Sequence, residues 1–94
     1  MDYQPTSRLA YQEVKKNLGE RQLQVLTALL EKPDQTNAEL ARRTGLAINQ
    51  ITPRVLELRK FGKVRLLRHR KCLVTGSTAM AWEPTEPAEQ LTHI

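Results

Sequence analysis

Residues 36–62, TNAELARRTGLAINQITPRVLELRKFG, contain the pattern that decides the fold. In a window that opens at Asn37, Ala41, Gly45 and Ile51 occupy positions five, nine and fifteen. These are the positions most constrained where two helices cross at a tight turn. A small residue at Ala41 permits close approach, Gly45 can adopt the positive φ that ends the first helix, and Ile51 buries a branched side chain. The stretch therefore predicts two helices joined by a short turn.

The first helix of this pair has a strong start signal. Thr36 and Glu39 form a T-x-x-E capping box, in which the threonine oxygen accepts from the Glu39 amide and the carboxylate accepts from the Thr36 amide. We therefore expect the helix to begin at Thr36 and to end at Gly45. Two helices joined by a three- or four-residue turn containing glycine form a helix-turn-helix unit.

The second helix of the pair is predicted over residues 49–61. Three residues at i, i+4 and i+7 form its core-facing stripe: Ile51, Val55 and Leu58. If Asn49 is the N-cap, Pro53 is the fourth helical residue and removes only the first backbone hydrogen bond, to the Asn49 carbonyl. Gly62 is expected to stop the helix.

The elements on either side complete one domain. Upstream, a helix is predicted over residues 20–31, with leucines at three- and four-residue steps. Downstream, strands are predicted over residues 63–68 and 78–82, joined by a loop of about nine residues and closed by Pro84. Trp82 is interpreted as a core residue beneath the second helix of the pair, and base stacking is the alternative.

The two ends of the chain are assigned separately. In an N-terminal extension, residues 1–19, a short helix is predicted from Thr6 or Ser7 to about Asn17. Residues 20–83 form the domain. Residues 84–94 are acidic and interrupted by proline, which predicts a disordered tail.

The distribution of charge indicates a polyanionic partner. The 94 residues contain 15 Lys and Arg and 10 Asp and Glu, for a net charge of +5. All the basic residues lie at or before Lys71, and residues 54–71 contain eight of them against the single acid Glu57. A basic stripe beside a helix-turn-helix unit is typical of nucleic-acid binding. A solvated charged surface is the alternative interpretation.

Other classes of protein lack support in the sequence. The single Cys72, with His69 nearby, gives neither a disulfide nor enough ligands for a metal, and no cofactor is expected. No run approaches the roughly twenty apolar residues of a membrane span, and the N-terminus does not resemble a signal peptide. We therefore expect a cytoplasmic protein without a membrane partner. Because there is no glycine-rich phosphate loop, nucleophile–base pair or clustered carboxylate pair, we expect no enzyme activity.

The order of the predicted elements is that of a known superfamily. Residues 20–83 resemble the winged helix-turn-helix domains of bacterial regulators. The segments ELARRTGL, INQITPRVLELRKFGKV and VTGSTAMAW are also similar to small proteins encoded by phages and prophages. The resemblance implies a mainly α fold with a small β-hairpin (α+β), made of a three-helix core, a C-terminal wing and the N-terminal helical extension. It also implies a recognition helix in the major groove and a wing along the backbone or minor groove.

Within that frame, side-chain chemistry suggests base contacts on the recognition helix. The candidates are Asn49, Gln50, Thr52 and Arg54. Amides can bind adenine N6 and N7, a guanidinium can bind guanine O6 and N7, and a threonine can contact a thymine methyl or a phosphate. The alternatives are an N-cap role for Asn49 and solvated helix surface for Gln50 and Arg54. Glu57 is more simply explained by an ion pair with Arg54 than by a cytosine contact.

Contacts to the DNA backbone are expected from the helix-turn-helix unit and the wing. The candidates are Thr36, Arg42, Arg43, Arg65, Arg68, His69, Arg70 and Lys71. The leading functional hypothesis is sequence-specific binding of double-stranded DNA, by a monomer or homodimer, in transcriptional or phage-gene control. The rival hypothesis is a winged-helix protein-interaction module that does not bind DNA.

Overall fold

Residues 18–86 form three helices and a three-stranded antiparallel sheet. The structure, a computed structural model, describes this part of the chain. In chain order the elements are α1 (Glu20–Glu31), β1 (Gln35–Thr36), α2 (Asn37–Thr44), α3 (Ile48–Lys60), β2 (Val64–Lys71) and β3 (Thr78–Pro84). The predicted α+β winged helix is confirmed. The helix predicted near the N-terminus and most of the predicted tail lie outside the described residues.

Local signals define α2 as the sequence predicts. The Thr36 hydroxyl accepts from the Glu39 amide at 3.2 Å, and the Glu39 carboxylate accepts from the Thr36 amide at 3.1 Å. At the other end, Gly45 has φ +80° and donates its N–H to the Ala41 carbonyl at 2.9 Å. Because only glycine adopts this conformation without a steric penalty, Gly45 stops the helix and allows a short turn into α3.

The recognition helix, α3, begins at Ile48, and its N-cap lies two residues before the predicted one. Its N-cap is Ala47 rather than Asn49. Alanine has no capping side chain, but the Gln50 side-chain oxygen accepts the Ala47 N–H at 3.2 Å and provides half of a capping box. Pro53 is therefore the sixth helical residue. Because proline has no N–H, the Asn49 carbonyl still lacks its helical hydrogen bond, and this gap lies beyond the first turn of the helix. Asn49 is free of any capping role.

The core lies between the helices and one face of the sheet. Leu29, Leu40, Ile51 and Leu58 are fully buried, one or more from each helix. Trp82 of β3 packs against this cluster and donates its indole N–H to the Asn37 side-chain oxygen at 2.9 Å. The prediction that Trp82 is a core residue is confirmed. No helix within the described part of the chain is long and apolar enough to cross a membrane.

The sheet is larger than the predicted hairpin. Its strand order is β1-β3-β2, and β1 pairs with β3 through Gln35 opposite Trp82 and Thr36 opposite Ala81. The strands of the hairpin are also longer, and only residues 72–77 form the turn. The predicted loop was too long because its charged start, residues 69–71, pairs fully with β3 and keeps its side chains exposed or half-exposed.

A β-bulge at Leu67 changes the side-chain alternation of β2. Leu66 lies opposite Trp82, but Arg68 lies opposite the next residue, Ala81, and His69 lies opposite Met80. Directly opposed residues share a face of the sheet, and alternate residues of one strand do so as well. Before the bulge the even-numbered residues of β2 face the same side as Trp82, whereas after it the odd-numbered residues do.

Candidate nucleic-acid interface

The outer side of α3 is open to solvent. Its inner stripe is buried against the other helices, and the residues opposite that stripe are exposed or half-exposed. Asn49 and Thr52, two of the predicted base contacts, are both exposed. Beside them lie three exposed residues that were not among the predicted contacts: Ile48, Leu56 and Lys60. Their helical spacing from the core stripe was the available signal.

A groove of about 390 Å³ separates α3 from the wing, which is the β2–β3 hairpin. Ile48 and Thr52 line it on the helix side, and Met80 and Trp82 line it on the wing side. Asn37 spans its inner end, because its side-chain nitrogen donates to the Thr52 hydroxyl at 3.4 Å while its oxygen accepts from Trp82. The start of α2, the exposed side of α3 and the wing therefore surround one concave surface.

Two of the predicted base contacts are engaged within the protein. Arg54 forms a bidentate pair with Glu57, with distances of 2.7 and 2.8 Å, and Glu57 also accepts from Gln22 of α1 at 2.7 Å. The hydrogen bonds from Arg54 and then Gln22 lower the pKa of Glu57 to about 2. The expected Arg54–Glu57 ion pair is confirmed, and it lies toward α1. The Gln50 side-chain oxygen accepts a hydrogen bond from the Ala47 amide.

The Glu39 carboxylate joins α2 to the wing. Besides capping α2 it accepts from the guanidinium of Arg70 at 2.6 and 2.9 Å, and from the Leu73 amide at 2.8 Å. Arg70 also donates to the Asp34 carboxylate at 3.0 Å. The hydrogen bonds from Arg70 and then from the backbone amides outweigh burial and lower the pKa of Glu39 to about 2. This Glu39–Arg70 cluster holds the wing against the helix-turn-helix unit.

Two predicted backbone contacts are corrected by this arrangement. Thr36 is only 1% exposed, and its hydroxyl caps α2 and contacts the Cys72 sulfur at 3.0 Å, so it cannot reach a phosphate. The Arg70 side chain is 16% exposed, and its donors are taken by Glu39, Asp34 and the Lys71 carbonyl. Both residues build the interface and do not present a free donor to a ligand.

The other predicted backbone contacts remain at the surface. Three pair with acids: Arg43 with Glu31, Arg65 with Glu83, and Arg68 with Asp34. Arg42, His69 and Lys71 are exposed and have no ion-pair partner within residues 18–86. Because of the bulge, His69 and Lys71 share the face of the hairpin that carries Met80 and Trp82, two residues that line the groove.

Lowering the pH should weaken the Glu39–Arg70 cluster. The pKa of Glu39 falls from its usual 4.5 to about 2 in the folded protein, so the stabilisation is complete above pH 4.5 and is lost as the pH falls through about 2. A shift of this size corresponds to about 3 kcal/mol. In urea titrations, Glu39→Gln should be less stable than the parent at pH 7, and the difference should shrink toward pH 2. A constant difference would contradict this account.

The sequence match agrees with the geometry. Residues 18–65, about half of the chain, match the family model described as winged helix-turn-helix DNA-binding. The match covers all three helices and the first residues of the wing. No curated protein matches the chain. Within the described residues, no group of three or more His, Cys, Asp or Glu side chains could hold a metal ion. With three helices, a wing and a matched helix-turn-helix region, the chain belongs to the winged helix-turn-helix DNA-binding family.

Proposed function

We propose that this protein binds double-stranded DNA sequence-specifically and acts as a transcriptional regulator of phage or bacterial type. In this proposal α3 enters the major groove and the wing lies on the backbone or in the minor groove. The observation that carries it is the open face of α3, where Asn49 and Thr52 are exposed, together with the exposed basic residues His69 and Lys71 on the wing.

Asn49 and Thr52 are the first choice for base contacts. The Asn49 side chain makes no hydrogen bond within residues 18–86, so its oxygen can accept from adenine N6 while its NH2 group donates to N7. Thr52 presents a methyl group together with its hydroxyl. Gln50 would give up its bond to Ala47 on contacting a base, and Arg54 would leave Glu57 to reach a guanine. Binding by Arg54 therefore requires an exchange of partners.

Positive charge for phosphate contacts comes from two sources. Arg42, Lys60, His69 and Lys71 are exposed without an ion-pair partner among the described residues. Arginines in exposed surface ion pairs can exchange their carboxylate partner for a phosphate at little cost. These arginines are Arg43, Arg65 and Arg68. A monomer would read one such site and a homodimer two, and we place the protein in the cytoplasm, where its DNA target lies.

Duplex binding should depend steeply on salt. With about five phosphate contacts, affinity should fall roughly twentyfold for each doubling of salt concentration. Lys71→Ala should weaken binding to all sequences alike and reduce the slope of log affinity against log salt by about one. Fluorescence anisotropy with a labelled duplex at several salt concentrations measures both. Arg21→Ala removes the same charge from the exposed surface of α1 and should leave the slope unchanged.

A protein-interaction module would behave differently. It would show no affinity for random duplexes even at low salt, and that result would refute the proposed function. Binding that ignores both sequence and salt would refute it as well. Selection from a random duplex pool at two salt concentrations, with the mass of the bound complex measured, separates these outcomes and determines whether one or two copies bind.

A further inference from the structure

Apolar groups form an exposed ridge along the recognition helix. Ile48, Thr52 and Leu56 stand at i, i+4 and i+8, so their side chains follow one row on the surface of α3. Ile48 is 50% exposed and Leu56 is 49% exposed, and Thr52 adds a methyl group between them. Three methyl-bearing side chains in line leave apolar surface in water on the face that the family uses to read DNA.

The wing extends this apolar surface across the groove. Met80 of β3 is 43% exposed and lines the groove together with Ile48 and Thr52. Ala79 lines the same groove. A ligand lying against α3 would therefore meet apolar groups along the helix and beside it.

The surrounding charges define what such a ligand must carry. Lys60 of α3 and Lys71 of β2 are exposed, and Arg59 lies over the Trp82 ring at 5.0 Å from its centroid. The only acid of α3, Glu57, is engaged by Arg54 on the side toward α1. An apolar ridge between cationic groups fits a polyanion that also displays apolar groups along one edge. In duplex DNA, the C5-methyl group of thymine is that apolar group, and it projects into the major groove.

We propose that the Ile48–Thr52–Leu56 ridge recognises the C5-methyl groups of thymines in the target site. This inference rests on the proposed function and specifies its ligand, a duplex with thymines spaced along the major groove. The methyl contacts supplement the hydrogen bonds of Asn49, which fit the adenine of the same or a neighbouring base pair. The target is therefore rich in A·T pairs where α3 docks.

The test removes the methyl groups from the DNA. A site is first selected from random duplexes, and thymines are expected at the positions facing α3. The same site is then synthesised with uracil in place of thymine, which keeps every base-pair hydrogen bond and deletes only the methyl groups. Each contacted methyl group should contribute about fourfold in affinity, the usual effect of burying one such group.

The protein variants locate the contact. Ile48→Ala should bind the thymine site about fourfold more weakly than the parent and should no longer distinguish the methyl group that Ile48 covers. Leu67→Ala is the matched control, because it shortens an exposed leucine of similar size on β2, away from the ridge, and should keep the full thymine preference. Circular dichroism checks that both variants fold.

Each remaining outcome has a definite meaning. Sequence-specific binding with equal affinity for the thymine and uracil duplexes would overturn the methyl-group proposal and leave the proposed function standing. A thymine preference that persists unchanged in Ile48→Ala and in Leu56→Ala would also overturn it. If no duplex binds at low salt, the proposed function fails and this inference fails with it.

Discussion

Replacing Arg70 with alanine should lower the free energy of unfolding by about 4 kcal/mol. The change leaves the carboxylates of Glu39 and Asp34 without their shared cation, and the Glu39 side chain is only 10% exposed. Removing one partner of such a pair is far more costly than the net contribution of the pair, because the other charge stays buried. Chemical denaturation followed by the fluorescence of the single tryptophan, Trp82, measures the effect.

Lys71→Ala is the matched control for this experiment. It removes the same charge from the adjacent residue of β2, but Lys71 is exposed and has no ion-pair partner within residues 18–86. Its effect on stability should stay within about 0.5 kcal/mol. Equal losses in the two variants would show that overall charge, rather than the Glu39–Arg70 cluster, controls stability. Together with its expected effect on the salt slope, Lys71→Ala would separate binding from folding.

Trp82→Ala should be strongly destabilising, with a loss of about 3–5 kcal/mol. Trp82 joins the sheet to the helical core, and its removal opens a cavity between β3 and the helices. It also leaves the Asn37 oxygen without its indole donor. Thermal unfolding followed by circular dichroism is the suitable measurement, since the variant has no tryptophan.

Trp82→Phe separates the packing of the ring from its hydrogen bond. Phenylalanine keeps most of the apolar volume and loses the N–H donor to Asn37, so the loss should be about 1–2 kcal/mol. If Trp82→Phe were as unstable as Trp82→Ala, the hydrogen bond would be the main contribution of the side chain and the packing argument would be wrong.

The features that could be predicted from the sequence are those set by neighbouring residues. The ends of α2 follow from Thr36, Glu39 and Gly45, which all lie within one short segment. In the structure, α2 begins after Thr36 and ends before Gly45, as predicted. The N-cap of α3 was misplaced by two residues for a similar reason. Asn49 is a good capping residue, whereas Ala47 is a poor one, yet the Ala47 carbonyl accepts the first helical hydrogen bonds and its amide donates to the Gln50 side chain.

The partners of the basic residues could not be predicted in the same way. Arg70 looks like any other charge of a basic hairpin, but its partner Glu39 is 31 positions away in the chain. Strand β1 has two residues and exists only because β3 lies beside it. The bulge at Leu67 determines on which face of the hairpin each later residue of β2 lies, and no local pattern in the sequence marks that bulge. Tertiary structure therefore decided which predicted contacts stay available.

Beyond the bulge at Leu67, the even- and odd-numbered residues of β2 have different partners, so the two faces of the strand can be engineered separately. On one face, Arg68 pairs with Asp34, just before the helix-turn-helix unit, and Arg70 pairs with Glu39 within it. On the other, His69 and Lys71 share a face with Met80 and have no ion-pair partner in the described part of the chain. Substitution at alternate positions can thus redesign the ligand-facing surface while the attachment of the wing is left intact.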